Sequence, residues 1–130
     1  MKKINQKVII PAIPKEVYDA FMEEAKHAEF TGAKAKINNS VGGSFEVWDG
    51  YASGKNIELI PGKKIVQTWR ADDWPEGQES IITLKLSAQH KKTLLEFNQK
   101  NIPDEFASDV AQGWQDFYWQ PLIKYFKTKK

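Results

Sequence analysis

The sequence predicts an α+β domain in which a curved antiparallel sheet of six or seven strands wraps around a long C-terminal helix. One or two short helices are expected after the first strand. Two observations carry most of this prediction. Between residues 33 and 100, short β-type runs alternate with turn residues, about 8 to 15 residues apart. Between residues 104 and 127, apolar residues recur at helical spacing. The 130 residues suit one domain, 1–130.

The N-terminal segment predicts a strand followed by a short helix. Residues 4–10 contain three consecutive β-type residues before Pro11 ends the run. Pro14 lies where the first turn of a helix tolerates proline, and about three helical turns are expected after it. The end of this pattern near Thr31-Gly32 leaves room for one extra turn around Glu29 and Phe30. The apolar face of the helix is formed by Val17, Ala20, Phe21, Met22 and Ala25.

The central segment predicts six antiparallel strands connected by tight turns. Asp49-Gly50 is the strongest hairpin signal in the chain, and Pro61-Gly62 is typical of a type II turn. Apolar and polar residues alternate in the fifth of these strands, which indicates one buried and one solvent-exposed face. The parity of the pattern leaves open which face Gln67 and Glu96 occupy. The predicted strands are residues 35–38, 44–48, 51–60, 64–70, 79–88 and 93–100.

The last segment, residues 104–127, predicts one long helix with an aromatic-rich apolar stripe. Gly113 costs about 1 kcal/mol relative to alanine in a helix, so we expect its missing side chain to permit close packing on the sheet. Pro121 removes a backbone hydrogen bond and predicts a kink at the preceding turn. The stripe consists of Val110, Trp114, Phe117, Tyr118, Pro121, Leu122, Tyr125 and Phe126.

The composition excludes several kinds of site. The chain has no cysteine, which rules out disulfides, iron–sulfur clusters and thiol nucleophiles. Its two histidines, His27 and His90, are too few for a three-histidine metal site, and we expect both at the surface. The adjacent acidic pairs Glu23-Glu24 and Asp72-Asp73 are expected to be solvated. We therefore predict no metal, no cofactor and no catalytic residues.

Charge and hydropathy limit the partners and the location. A net charge of +2 gives no reason to expect nucleic-acid binding. The longest apolar stretch near the N-terminus is interrupted by Pro11, and it is too short for a signal peptide or a membrane span. These features, together with the absence of cysteine, predict a cytoplasmic protein without a membrane span, as a monomer or weak dimer.

The predicted layout is that of a helix-grip domain, and the chain resembles one family within the START-like superfamily. That family is the activator of heat-shock-protein-90 ATPase homologue type. The matching residues run in order through nearly the whole chain. They are Val47-Trp48-Asp49-Gly50 with Ser53-Gly54, Leu59-Ile60-Pro61-Gly62-Lys63, Ile65-Val66-Gln67-Thr68-Trp69-Arg70, Trp74-Pro75-Glu76-Gly77, Ile82-Thr83-Leu84, Ile102-Pro103, and Gly113-Trp114-Gln115-Asp116-Phe117-Tyr118 followed by Leu122.

The resemblance implies two classes of non-enzymatic function. In eukaryotic co-chaperones this domain follows a larger domain, and the whole protein binds a chaperone and stimulates its ATPase. Neither that domain nor the stimulatory motif has a counterpart in this chain, so we expect docking on a chaperone at most. The other class is binding of a hydrophobic small molecule between sheet and helix.

An apolar cavity with aromatic walls suits lipids, sterols or polyketide-like molecules. A small enzyme of the cyclase or dehydratase type, using the same cavity, is the alternative, and it requires polar groups such as Gln67, Glu96 or Tyr118 to converge inside. The predicted cavity residues are Trp48, Trp69, Leu84, Phe97, Trp114, Phe117, Tyr118 and Leu122.

Overall fold

A computed structural model describes residues 1–128 and contains a seven-stranded antiparallel sheet. Residues 129 and 130 of the predicted domain lie outside the described residues. The strand order is β1-β7-β6-β5-β4-β3-β2, so the first strand pairs with the last and the other six form a meander. The predicted α+β fold and its sheet are confirmed. The strands are β1 (Lys2–Ile10), β2 (Lys36–Ile37), β3 (Ser44–Val47), β4 (Ala52–Ile60), β5 (Lys64–Ala71), β6 (Ser80–Gln89) and β7 (Lys92–Ile102).

Alternating side chains give the sheet one buried and one exposed face. On β6, Ile82 and Leu84 are buried, whereas Lys85 between Leu84 and Leu86 is exposed. Leu84 lies opposite Phe97 of β7 in the register, so the two side chains pack on the same face. Glu96 points to the other face, where its carboxylate lies 3.9 Å from the Nζ of Lys7. The buried face of the sheet carries the core.

Strands β4 and β5 approach each other closely at Gly54. A Cβ atom built on Gly54 would lie 1.9 Å from the carbonyl oxygen of Thr68, which is far inside van der Waals contact. Two residues further along, a bulge between Asn56 and Glu58 shifts the register of the pair. Bulges bend a strand and increase its twist. Gly54 is therefore a steric requirement of this sheet.

Two short helices follow β1, as predicted. Helix α1 (Pro14–Met22) begins with Pro14 in its first turn and buries Val17 and Phe21. Glu23, with φ −91° and ψ 121°, has an extended backbone and interrupts the helical path. Helix α2 (Glu24–Thr31) then ends at Gly32, whose φ of +75° is a left-handed conformation that glycine adopts readily. The extra turn expected around Phe30 is thus a complete second helix.

The C-terminal helix is not uniform. A 3₁₀ turn (Asp104–Phe106) leads into α3 (Ala107–Trp114), a π-helical turn (Gln115–Trp119) follows, and α4 (Gln120–Thr128) completes it. The kink that Pro121 predicts takes the form of this wider turn, directly before the proline. Proline cannot donate a backbone hydrogen bond, and its ring collides with the carbonyl four residues earlier in a regular α-helix. Within residues 1–128, no helix is both long and apolar enough to cross a membrane.

Gln6 of β1 connects the sheet to α3 and to the last residue of the π-helical turn. Its Nε2 donates to the carbonyl of Ala111 at 3.0 Å, and its Oε1 accepts from the Trp119 indole N–H at 2.6 Å. The Gln115 N–H donates to the carbonyl of Gln112, so the Ala111 carbonyl is available to the glutamine. One amide side chain therefore compensates for a backbone partner that the altered helix does not supply.

Gly113 does not perform the role predicted for it. A Cβ atom built there would meet the Phe117 Cδ2 at 3.8 Å, an ordinary contact. No atom of the sheet lies that close, so the missing side chain is not what brings helix and sheet together. Close packing of α3 comes instead from Val110 and Trp114, which are both buried.

Candidate functional site

Two spaces lie between the C-terminal helix and the sheet. The first is an internal cavity of about 20 Å³, which has room for about one water molecule. Its polar side chains are His27, Gln67 and Tyr118. The second is an opening of about 530 Å³ at the edge of the same interface, which we call the aromatic groove. The interface is therefore nearly solid in its interior and opens at one edge.

The aromatic groove is bounded by the helix and by two loops. The π-helical turn and α3 form one wall, and the β3–β4 and β5–β6 loops form the other. Its charged residues are Asp73 and Asp109. Val110 and Gly113 complete the helical wall. The aromatic residues that line it are Trp48, Tyr51, Trp69, Trp74, Phe106, Trp114, Phe117 and Tyr118.

The structure divides the predicted cavity residues into two groups. Trp48, Trp69, Trp114, Phe117 and Tyr118 line the aromatic groove. The remaining three, Leu84, Phe97 and Leu122, are at most 2% exposed and line neither space. Their burial follows from packing, since the ring of Phe97 lies 4.4 Å from that of Trp114. Phe97 therefore packs on Trp114 and does not itself line the groove.

Three aromatic groove residues, Tyr51, Trp74 and Phe106, escaped the sequence reasoning. They lie in turns and loops, where no periodic pattern indicates the direction of a side chain. Trp74 stacks on Phe106 with ring centroids 6.1 Å apart and meets Trp69 edge-on at 5.5 Å. The one available signal was the Trp74-Pro75-Glu76-Gly77 motif of the family resemblance.

Arg70 holds the loop that carries Trp74. Its Nη2 donates to the carbonyls of Trp74 and Pro75 at 2.8 and 3.2 Å, and its Nε donates to the carbonyl of Gln78 at 3.3 Å. A guanidinium bound to three carbonyls fixes the loop more strongly than one backbone contact would, because hydrogen bonds to charged donors are strong. The Thr68-Trp69-Arg70 and Trp74-Pro75-Glu76-Gly77 motifs are therefore one structural unit.

Trp48 reaches the groove from a strained turn. The β3–β4 loop has four residues, 48–51, rather than the two expected from Asp49-Gly50, because Val47 pairs with Ala52. Trp48 and Asp49 both have φ of +57°, a left-handed conformation that aspartate tolerates but that is unfavourable for a bulky residue such as tryptophan. The Trp48 ring meets Phe117 and Tyr118 edge-on at 5.7 and 5.8 Å. The aromatic contacts of Trp48 at the groove wall thus offset the unfavourable backbone conformation of the turn.

His27 is buried, and the prediction of a surface histidine was wrong. Its Nδ1 lies 3.1 Å from the carbonyl of Phe21, and its Nε2 lies 3.1 Å from the hydroxyl of Tyr118. A carbonyl can only accept, so Nδ1 carries the proton and the Tyr118 O–H donates to Nε2. Burial lowers the pKa of His27 from 6.5 to about 4, which keeps this imidazole neutral at physiological pH. Burial also raises the pKa of Tyr118 far above its ordinary value.

A buried chain of hydrogen bonds connects the sheet with the helix beneath the groove. The Trp114 indole N–H donates to the Gln99 Oε1 at 2.8 Å, and the Gln99 Nε2 donates to the Ser80 Oγ at 2.9 Å. The Ser80 hydroxyl in turn donates to the Trp69 carbonyl at 2.7 Å. All four side chains are buried. The chain satisfies polar atoms that would be costly to bury alone, and it fixes the Trp114 ring.

The fold and the aromatic opening define a helix-grip domain of the START-like class: a seven-stranded antiparallel sheet with its C-terminal helix packed on one face. Residues 11–127 match the sequence model of the family described as "Activator of Hsp90 ATPase homolog 1-like protein". The chain belongs to that family. This confirms the resemblance found in its Thr-Trp-Arg, Trp-Pro-Glu-Gly and Gly-Trp motifs.

Two curated relatives and one solved structure illustrate the similarity. Activator of 90 kDa heat shock protein ATPase homolog 1 of Homo sapiens is 34% identical over 124 residues, 95% of this chain and 37% of the human protein. The homolog of Dictyostelium discoideum is 36% identical over 115 residues, 88% of this chain and 30% of that protein. An HSP90 activator from Plasmodium falciparum shares the fold, with a TM-score of 0.82, 24% identity and coverage of 90% and 91% of the two chains. The chain therefore spans well under half of the curated relatives' length.

Proposed function

We propose that this protein is a non-enzymatic docking domain that binds a 90 kDa heat-shock chaperone through the aromatic groove. The observation that carries the proposal is the groove itself, an opening of about 530 Å³ lined by eight aromatic side chains. Tryptophan and tyrosine dominate the energetics of protein interfaces. The names of the human and Dictyostelium relatives support the choice of partner. A cytoplasmic location, predicted from the sequence, would suit that partner.

Exposure at the rim favours a protein partner over an enclosed small molecule. The side chains of Phe117 and Tyr51 are 57% and 43% exposed, although both line the groove. Large ligands are normally enclosed by mostly buried walls, whereas a partner protein covers exposed aromatic groups when it docks. The enclosed cavity of about 20 Å³ is far smaller than a lipid or a sterol.

The enzymatic alternative fits the same spaces less well. His27, Gln67 and Tyr118 do converge, but they converge on the small internal cavity. Glu96 lies on the opposite face of the sheet, beside Lys7. A cyclase or dehydratase needs polar groups around a space that its substrate can enter, and the space that a substrate could enter is lined mainly by aromatic rings. We therefore propose binding and no catalysis.

The test is a binding measurement between the full chain and the 90 kDa chaperone of the same organism, by calorimetry. Binding at micromolar concentration is expected, and Phe117→Ala should weaken it by about tenfold, the size expected for an interface anchor. Ile57→Ala is the matched control, because Ile57 is 46% exposed on β4 and does not line the groove.

Three results would change this conclusion. An absence of binding at tens of micromolar would remove the chaperone as partner. Equal affinity of wild type and Phe117→Ala would move the docking surface away from the groove. Uptake of a fatty acid or sterol with quenching of tryptophan fluorescence, by a protein that ignores the chaperone, would establish the small-molecule function instead.

A further inference from the structure

We propose that the aromatic groove receives a lysine or arginine side chain of the docked protein, flanked by apolar residues. This inference rests on the proposed function and deepens it, because it states the chemistry of the segment that the groove recognises. It is carried by the combination of aromatic walls with two unpaired carboxylates and no basic group.

The charged residues of the groove are of one sign. Asp73 enters from the β5–β6 loop and Asp109 from α3, so they approach from opposite walls. Both are exposed, and among residues 1–128 neither takes part in a salt bridge or a side-chain hydrogen bond. No lysine or arginine lines the groove. A ligand with a positive charge would therefore supply the missing counter-ion.

Arg70, near the end of β5, is the basic residue closest in sequence to Asp73, and it is occupied elsewhere. Arg70 commits its Nε and Nη2 to the carbonyls of Trp74, Pro75 and Gln78. It holds the wall of the groove and does not reach across it. The positive group must therefore come from the partner.

The aromatic walls suit a cation as well as an apolar group. The faces of indole and phenyl rings carry negative electrostatic potential, so they attract an ammonium or guanidinium that comes within about 6 Å. Trp48 meets Phe117 and Trp74 stacks on Phe106, so the lining of the groove contains two pairs of adjoining rings. The methylene stem of lysine or arginine would pack between these rings while its charge reaches a carboxylate.

Tyr51 reports the negative potential of this opening. Burial raises the pKa of its phenol, and the carboxylates of Asp73, Asp72 and Asp109 raise it further. Three carboxylates from a loop and a helix thus act on one side chain in the groove. The same potential would repel a fatty acid or a phosphate, so it favours a cationic ligand over an anionic one.

The first test uses n-butylguanidinium, which has the charge of an arginine side chain, and n-butylurea, its neutral isostere. The indole N–H signals of the five tryptophans are followed by ¹⁵N-resolved NMR during titration. The cation should shift the Trp48 and Trp74 signals at millimolar concentration and bind about fivefold more tightly than the urea. The double variant Asp73→Asn/Asp109→Asn should remove that difference.

The matched control is Glu76→Gln/Asp116→Asn. It also removes two negative charges, one from the β5–β6 loop and one from the π-helical turn. Neither position lines the groove. This variant should keep the preference for the cation. Three results would overturn the inference. The wild type could bind the cation and the urea equally, both double variants could lose the preference for the cation to the same extent, or the indole N–H signals could show no shift up to about 50 mM cation.

A second measurement separates this inference from the proposed function. Asp73→Asn/Asp109→Asn should weaken chaperone binding by about fivefold, and n-butylguanidinium should compete with the chaperone. If the chaperone binds the wild type and the Asp73→Asn/Asp109→Asn variant equally, the groove does not recognise a cationic side chain of the chaperone. The inference then fails while the docking function stands. If the cation binds but the chaperone does not, the partner is wrong and the specificity of the groove remains.

Discussion

The Trp114 indole N–H and the Gln99 side-chain carbonyl are joined by a buried hydrogen bond of 2.8 Å between helix and sheet. Trp74, by contrast, has a buried indole N–H without a hydrogen-bond partner among the described residues. Both rings line the aromatic groove and are 4% exposed. The two residues therefore present the same side chain at similar burial, with and without a partner.

This pair predicts different results for the same substitution. Trp114→Phe leaves the Gln99 oxygen unpaired and a space in the core, so it should lower the free energy of unfolding by about 2–4 kcal/mol. Trp74→Phe also leaves a space, but it removes an N–H that was already unpaired, so it should cost about 1–2 kcal/mol less than Trp114→Phe. Urea denaturation followed by circular dichroism measures both. Equal losses would show that the hydrogen bond to Gln99 contributes little.

Gln6→Leu should destabilise the C-terminal helix at its π-helical turn. The substitution leaves the Trp119 N–H and the Ala111 carbonyl without their partner, at a cost of about 2–4 kcal/mol. Hydrogen exchange should accelerate at the Trp119 indole. Asn5→Ala is the control, because this neighbouring residue only accepts an exposed side-chain hydrogen bond from Asn98. A similar loss in both variants would contradict the role of Gln6.

The buried His27 predicts a loss of stability in mild acid. The unfolded chain binds a proton at His27 below about pH 6.5, whereas the folded protein resists this until about pH 4. Stability from His27 is therefore complete above pH 6.5 and falls as the pH drops towards 4, by about 3 kcal/mol. The measurement is urea denaturation at half-unit pH intervals.

In this experiment His27→Gln should remove the part of the pH dependence that belongs to His27. The stability difference between wild type and His27→Gln should shrink steadily from pH 7 to pH 4. His90→Gln, at an exposed turn residue, should follow the wild-type profile. A His27→Gln protein with an unchanged slope would contradict the buried neutral imidazole.

Two glycines should respond to alanine in opposite directions. Gly54→Ala forces a methyl group against the Thr68 carbonyl and should cost about 3 kcal/mol or more, because the backbone of β5 must move. Gly113→Ala meets only an ordinary contact and should stabilise α3 by about 0.5–1 kcal/mol. Thermal unfolding of the two variants decides the matter, and destabilisation by Gly113→Ala would contradict the open surroundings of that residue.

Periodic patterns in the sequence were enough to predict the sheet and the first of the two short helices, whereas the second was expected only as one extra turn. On β6, the alternation of Ile82, Leu84 and Leu86 with polar residues follows directly from the two-residue repeat of a strand. Pro121 indicates a distorted helix, but not a π-helical turn. That geometry is accompanied by a contact with Gln6, a residue more than a hundred positions away, which no local pattern contains.

The site was less accessible to sequence reasoning because one of its two walls consists of loops. Trp48 and Trp114 lie beside recognisable turn and helix signals, and they do line the groove. The position of Trp74 depends on the hydrogen bonds that Arg70 donates to the loop carbonyls. Every residue has a backbone carbonyl, so the sequence does not indicate which carbonyls Arg70 binds. His27 has no acidic neighbour in the chain to suggest a role, and its partner Tyr118 is 91 residues away.

The hydrogen bonds of the Gln6 amide also limit when the core of this protein can form during synthesis. Its two partners lie 105 and 113 residues further along the chain. Synthesis begins at the N-terminus, so β1 leaves the ribosomal exit tunnel long before Ala111 and Trp119 are available to contact it. Such distant contacts carry a large loop-closure cost and form late. The nascent chain therefore cannot close its core until almost the last helical turn has been made.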